Sequence, residues 1–428
     1  MSKKVFLIML ISLITVGTLF SAQVEIRAAW WGDTGRHALY NEIVDIFEVK
    51  NPDIKVIREP TSWLDYWDKL TVQTAGKRAP DFMGMHLQFA ADYVRRGVLE
   101  PLDKYIEEGI IDVSKFSQTA LDSGTVDGTI YMIPKGLTAQ SIFVNISALQ
   151  ELGIEPPDFD WTWNDVERIG LEVRKELDTR GEKNKWFMND HSGAYVVFRY
   201  WVRQRGTQDL YTMDGDIAYT AEDVATWFSM WNNFRIKGII PDPPTVTEYA
   251  QSTLEDSLFA RQRIFATNVP ANQFKLYVNA LKGKELELVR NPSLEGGLPG
   301  EFMEGSHWAI SAYSSPEKKE AAAKLINFWL NDPDSIELFR LDEGVPANRE
   351  MAEYLLTLLD EVDQKIVEFV NRVSEIASIP ITFMPAGATE VNSLFEQIAE
   401  RVRFGVLTPE EAGEQMVNEA QKILDRYK

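Results

Sequence analysis

Between Val24 and Val56 the chain reads VEIRAAWWGDTGRHALYNEIVDIFEVKNPDIKV, a strand, a polar turn, an amphipathic helix and a second strand. VEIRAAW has the composition of a buried strand, and GDTG supplies the turn. Leu39, Ile43, Ile46 and Phe47 then recur close to the spacing of one apolar helix face. Asn51-Pro52 ends the helix, because proline pushes the residue before it out of helical geometry. A strand–helix–strand unit of this length predicts a parallel sheet with a right-handed crossover. In such sheets ligands meet the loops at the carboxyl ends of the strands. Trp30, Trp31, Gly32, Asp33 and Arg36 occupy that position, offering two aromatic faces, adaptable backbone and both signs of charge.

The same alternation continues. Trp63, Tyr66, Trp67 and Leu70 predict a helix capped by Ser62, FMGM a short strand, and the helix through HLQFAADYVRRGVL an end at Gly97. Asp127-Gly128 predicts a hairpin turn between TV and TIYMI, and QSIFVN a strand. The stretch from about 161 to 280 is helix-rich, with a surface loop at Pro241 to Pro244 and a returning strand at RQRIFATN. Glycine-rich SLEGGLPGEFMEGS precedes HWAISAYSS, and helical segments fill most of the remainder. At 428 residues roughly two α/β domains are expected, each able to bury a core.

Composition narrows the function. A net charge of −21 excludes the basic footprint that nucleic-acid binding requires and suits a dissolved monomer. The chain has no cysteine, which removes disulfides, thiolate nucleophiles and lipid attachment to an N-terminal cysteine. His37, His86, His191 and His307 are scattered without metal-binding spacing, and no GxxxxGK[ST] phosphate loop is present; no metal or cofactor is expected. Lys3 and Lys4, the apolar run Val5 to Phe20 and Ser21-Ala22 have the order of a secretory signal peptide, with cleavage expected after Ala22 and an uncleaved anchor as the alternative.

The landmarks now in order are WWG, FEVKNPDIKV, Tyr66-Trp67-Asp68-Lys69-Leu70, Ala79-Pro80-Asp81, Gly128 to Pro134, Trp161-Thr162-Trp163, Leu298-Pro299-Gly300 and Ala309-Ile310-Ser311. In that order, across nearly the whole chain, they resemble the carbohydrate-binding extracellular solute-binding proteins of ABC importers, the group that includes maltose-binding proteins. WWGDTGRH most resembles members that bind pectin-derived oligogalacturonides. The resemblance implies two α/β lobes, each a mainly parallel sheet flanked by helices, joined by a hinge crossed three times. The crossings fall near 133–137, 305–310 and 341–346. Lobe one is then 23–134 plus 307–341, and lobe two 137–305 plus 345–428, after a signal peptide at 1–22.

It also implies a non-enzymatic receptor outside the cytoplasmic membrane, in the periplasm or at the cell surface. Such a receptor hands an oligosaccharide to permease subunits driven by a separate ATPase. Sugar recognition pairs aromatic rings with C–H faces and planar polar groups with hydroxyls. On lobe one the candidates are Trp31 rather than Trp30, Asp33, Arg36, Trp63, and by order along the chain His86 and Gln88. On lobe two and the hinge they are Lys135, Tyr195 in HSGAYVV, Asn268 and Trp308. For each tryptophan the competing role is core packing, which is assigned to Trp161, Trp163 and Trp231. Ala271 stands where maltose-type proteins carry an aromatic, which argues against a maltodextrin. Arg36 and Lys135 are the candidate holders of a uronate carboxylate; the alternatives are pairing with neighbouring acids and a neutral plant oligosaccharide as ligand. The competing class is a secreted glycoside hydrolase, which needs two carboxylates at a set separation.

Overall fold

The computed structural model describes residues 23–428 apart from 207–208, 213, 251, 255, 378–381 and 383, so the expected signal peptide at 1–22 lies outside the described residues. In chain order the sheet-forming strands are β1 (Val24–Trp31), β2 (Ile54–Thr61), β3 (Phe82–His86), β4 (Met132–Pro134) and β5 (Gln140–Asn145), then β6 (Trp186–Met188), β7 (Ile264–Pro270), β8 (Leu286–Val289) and β9 (Ser306–Ile310). The longer helices are α1 (Thr34–Lys50), α2 (Trp63–Ala75), α3 (Trp163–Thr179), α4 (Tyr195–Gln204) and α5 (Ala221–Ile236), followed by α6 (Pro316–Asn331), α7 (Glu361–Ile376), α8 (Ala388–Arg403) and α9 (Pro409–Asp425).

Two sheets result, with the orders β2-β1-β3-β9-β4 and β8-β5-β7-β6. In the first, β9 runs against its neighbours; in the second, β5 does. The remaining strands of each sheet share one direction, but the reversed strand lies inside each sheet, so both sheets are mixed rather than mainly parallel in their pairings. β1 and β2 pair in parallel from Val24 opposite Ile54 to Trp31 opposite Thr61, and α1 makes the crossover.

Local chemistry accounts for the elements. Asp33 caps α1 by accepting the Arg36 N–H at 2.9 Å, so the helix starts inside the stretch expected as a turn. The buried face of α1 is Tyr40, Ile43, Val44 and Phe47 rather than one centred on Leu39 and Ile46, which are only half-buried. The correction is a small rotation: the four buried residues form an unbroken i, i+3, i+4, i+7 stripe that the sheet covers. Ser62 caps α2, Gly97 turns the chain at φ +63°, and Asp127-Gly128, with φ of +50° and +79°, makes the hairpin. Pro243–Tyr249 is a short helix, not the loop expected near there, because Asp242 caps it and proline is tolerated at its first position.

Side chains of β1 alternate between two cores. Ile26, Ala28 and Trp30 join Tyr40, Phe47 and Trp329, whereas Ala29 and Trp31 pack toward Tyr66 and Trp67 of α2. Around the second sheet, Trp161, Trp163, Trp227 and Trp231 are buried together, with α8 and α9 closing the same core. The three segments expected as crossings lie side by side. Gly136–Leu137 pairs with Val345–Pro346, Lys135 N–H donates to Ser306 O at 2.8 Å, and Thr138 and Glu304 exchange backbone hydrogen bonds at 2.8 and 2.9 Å.

Candidate functional site

A cavity of about 550 Å³ opens between the two sheets. On the side of the first sheet it is lined by Trp31, Arg36, Trp63, His86, Asp342 and Glu343. Across from them stand Tyr195, Arg199, Tyr211, Asn272, Phe302, Glu304 and Asn392. Trp31 is the last residue of β1, and Trp63 begins α2. Their rings meet edge to face at 5.1 Å and 89°, and His86 at the end of β3 stands at 5.4 Å and 88° to Trp63. Trp63 is 37% exposed, so its free face is open to the cavity. Gly84 of β3 makes room for this arrangement: a Cβ there would lie 2.9 Å from the Trp31 ring.

Beneath the aromatic wall is a charged cluster. The Arg36 guanidinium meets Asp342 at 2.7 Å and Glu343 at 3.3 Å. Glu343 also pairs with the Lys135 ammonium and accepts from the Tyr40 hydroxyl. The Lys135 Nζ lies 4.1 Å from the Trp308 ring centre and 4.7 Å from that of Trp31. Burial would raise the Glu343 carboxyl, but Lys135 and Arg36 overcome it and hold it at about 2. Asp342 goes the other way; burial raises it despite Arg36. Burial also lowers His86 and favours its neutral form.

The opposite wall repeats the theme. Arg199 of α4 makes a two-pronged bond to Asp209, both distances 2.6 Å, and lies 4.2 Å from the Phe302 ring centre. Glu304 is half-buried, its carboxyl raised by desolvation, and accepts from the Gln140 amide at 2.8 Å. Tyr195 shares a hydrogen bond of 2.9 Å with Tyr219. The cavity thus offers aromatic faces, amides, hydroxyls and carboxylates, while its two arginines already hold acids. Among the described residues no group of side chains could hold a metal ion, and no helix is long and apolar enough to cross a membrane.

Of the residues expected from sequence, the structure brings Trp31, Arg36, Trp63, His86 and Tyr195 to this cavity. Four others are placed elsewhere. Asp33 is outside the lining because capping α1 engages its carboxylate. Lys135 is only 1% exposed, drawn under the wall by Glu343 and three aromatic rings. Trp308 is fully buried between Phe82 and Trp329, since it occupies an inner strand of the first sheet. Asn268 donates to Asn291 at 2.8 Å and lines a different cavity. Gln88 lies in the helix Leu87–Arg95, and its side chain falls outside the described residues.

Sequence reasoning missed Tyr211, Phe302, Glu304, Asp342, Glu343 and Asn392 as lining residues. Asp342-Glu343 and Glu304 do adjoin the Gly/Pro punctuation at the expected crossings, which is the signal that could have found them.

A model of the bacterial extracellular solute-binding protein family matches residues 42–365. The extracellular solute-binding protein of Alicyclobacillus acidocaldarius is 25% identical and superposes with a TM-score of 0.79 over 94% of this chain and 98% of that one. A periplasmic oligogalacturonide-binding protein from Yersinia enterocolitica is 24% identical, with a TM-score of 0.81 over 94% and 100% of the two chains. An ABC substrate-binding protein from Listeria monocytogenes, solved with cycloalternan, is 22% identical, with a TM-score of 0.73 over 94% and 99%. With the family model covering most of its length, the chain belongs to the bacterial extracellular solute-binding proteins.

Proposed function

We propose that this chain is the capture receptor of an oligosaccharide importer, and that its ligand is neutral. The observation that carries the reading is the state of the two cleft arginines. Arg36 is held by Asp342 and Glu343, and Arg199 by Asp209. A uronate carboxylate entering the cleft would have to displace one of those acids and would face Glu304 as well. Like charges at short range in a partly buried site repel strongly. Neutral hydroxyls suit the same groups, because carboxylates and amides accept and donate to them while Trp31 and Trp63 cover C–H faces. The sugars named for the Yersinia and Listeria proteins support an oligosaccharide as the ligand class.

In this reading the segments near 133–137, 305–310 and 341–346 act as the hinge between lobes of 23–134 plus 307–341 and 137–305 plus 345–428. Ligand favours the closed state because it touches both walls at once. The chain makes and breaks no bond; permease subunits and a separate ATPase complete delivery. The signal peptide would direct export and be removed after Ala22.

Calorimetric titration with digalacturonate and with neutral arabino- and cello-oligosaccharides tests the ligand class. Binding of a neutral series with no binding of digalacturonate is the expected result, and tight binding of digalacturonate alone would overturn it. X-ray scattering should show compaction at saturation. Chromatography after long incubation should return the sugar uncut; shortened products would establish the hydrolase reading instead.

A further inference from the structure

We propose that the ligand site continues past the cleft into a second cavity on the side of the second sheet, where it takes the far end of a longer oligosaccharide. The inference rests on the sugar reading of the cleft and adds to it a preference for chain length.

The second cavity holds about 680 Å³, more than the cleft itself. It exists because β6 is only three residues long whereas β7 has seven. β6 accompanies β7 from Ile264 to Ala266 and then stops. Beyond that point the β7 edge has no strand beside it, and the Asn268 N–H donates to His191 Nε2 at 2.9 Å instead. The opening therefore lies at the carboxyl ends of two adjacent parallel strands, the position where α/β sheets present loops to ligands.

One helix lines both cavities. Asn392 of α8 faces the cleft, while Glu396, Glu400 and Arg403 of the same helix face the second cavity. Steps of four, four and three residues put all of them on one side of the helix. Asn392 donates to Glu396 at 3.2 Å, which ties the last cleft residue of this stripe to the first residue of the second cavity. From Asn392 to Arg403 the stripe is about 16 Å long.

Its chemistry matches that of the cleft. Tyr249 and Tyr277 are neither fully buried nor fully exposed and present ring surface at the far wall. Glu396, Glu400 and the Asn268 amide supply hydroxyl partners. Arg403 is engaged: together with Arg235 it holds the buried Asp190, at 3.3 and 2.7 Å. The rim carboxylates would repel an anion, so this end too favours an uncharged chain.

The test is calorimetric titration of the mature protein with arabino- and cello-oligosaccharide ladders, from disaccharide to hexasaccharide. Two variants, Thr247→Trp and Glu400→Trp, fill the second cavity from exposed positions on different walls. In the wild-type protein the hexasaccharide of the preferred ladder should bind about tenfold more tightly than its disaccharide, or better. In each variant that ratio should fall toward one. A wild-type ratio near one, or a tenfold ratio that survives both tryptophans, would overturn the extension and leave the cleft reading standing. If neither ladder binds at any length, the sugar reading fails and the extension fails with it.

Discussion

The Lys135 ammonium meets the Glu343 carboxylate inside the protein, joining the segment after β4 to the segment before Val345. The partners are 208 positions apart in sequence and sit under the wall of the cleft. Removing one of them leaves the other charged, buried and uncompensated, which costs about 3–5 kcal/mol. Glu343→Gln should therefore lower unfolding stability by about that amount in a guanidinium titration. The double variant Lys135→Met, Glu343→Gln should lose less than the sum of the two single losses, because the orphaned charge is gone.

Acid should weaken the fold before the carboxylates titrate. Burial lowers His191 to about 4 and His307 to about 3, against an ordinary value near 6.5. Between those values the unfolded chain binds protons that the folded one refuses, so stability falls as pH drops below about 6.5. Glu343 adds a second stage: held at about 2, it contributes stability above its unfolded range, near 4.5, and loses it as pH falls toward 2. The urea midpoint should drop between pH 7 and pH 5 and drop further below pH 4. A midpoint that is flat from pH 7 to pH 5 would contradict the histidine argument.

Trp63 serves packing and binding together. Its ring is 37% exposed yet touches Trp31, Trp67 and Phe89, so Trp63→Ala should lower unfolding stability by about 1 kcal/mol. Losing one aromatic face against the sugar should weaken a neutral oligosaccharide by about tenfold, roughly 1.4 kcal/mol. Calorimetry and denaturation on the same preparation check both halves.

Gly84 links the two properties. In Gly84→Ala the new methyl has to displace the Trp31 ring, which is itself packed against Trp63, Tyr66 and Trp67. Overpacking of this kind costs about 1–3 kcal/mol, and moving Trp31 should weaken sugar binding as well. A variant with intact affinity would show that Trp31 does not shape the site.

Local order was readable from the chain; long-range pairing was not. The alternation in β1 sends Trp30 and Trp31 to opposite faces, and a period of two suffices to see it. The Ser62 cap and the Asp127-Gly128 turn are equally local. Arg36 shows the limit. As a lone cation near a loop it invited a carboxylate ligand, yet its partners are Asp342 and Glu343, more than three hundred residues on. Lys135 was misplaced for the same reason. Asn268 lies outside the cleft because β6 ends early and opens a second cavity there, which no spacing in the sequence announces.

The strand order has a consequence for how the protein comes into being. β9 sits between β3 and β4, so the first sheet lacks an inner strand until the chain has emerged as far as Ile310. The core of the second sheet needs Phe395 of α8 and Met416 of α9, which emerge later still. No early fragment can complete either half. A polypeptide built in this way completes both cores only when nearly all of it is present, so its stability belongs to the whole length rather than to any early part.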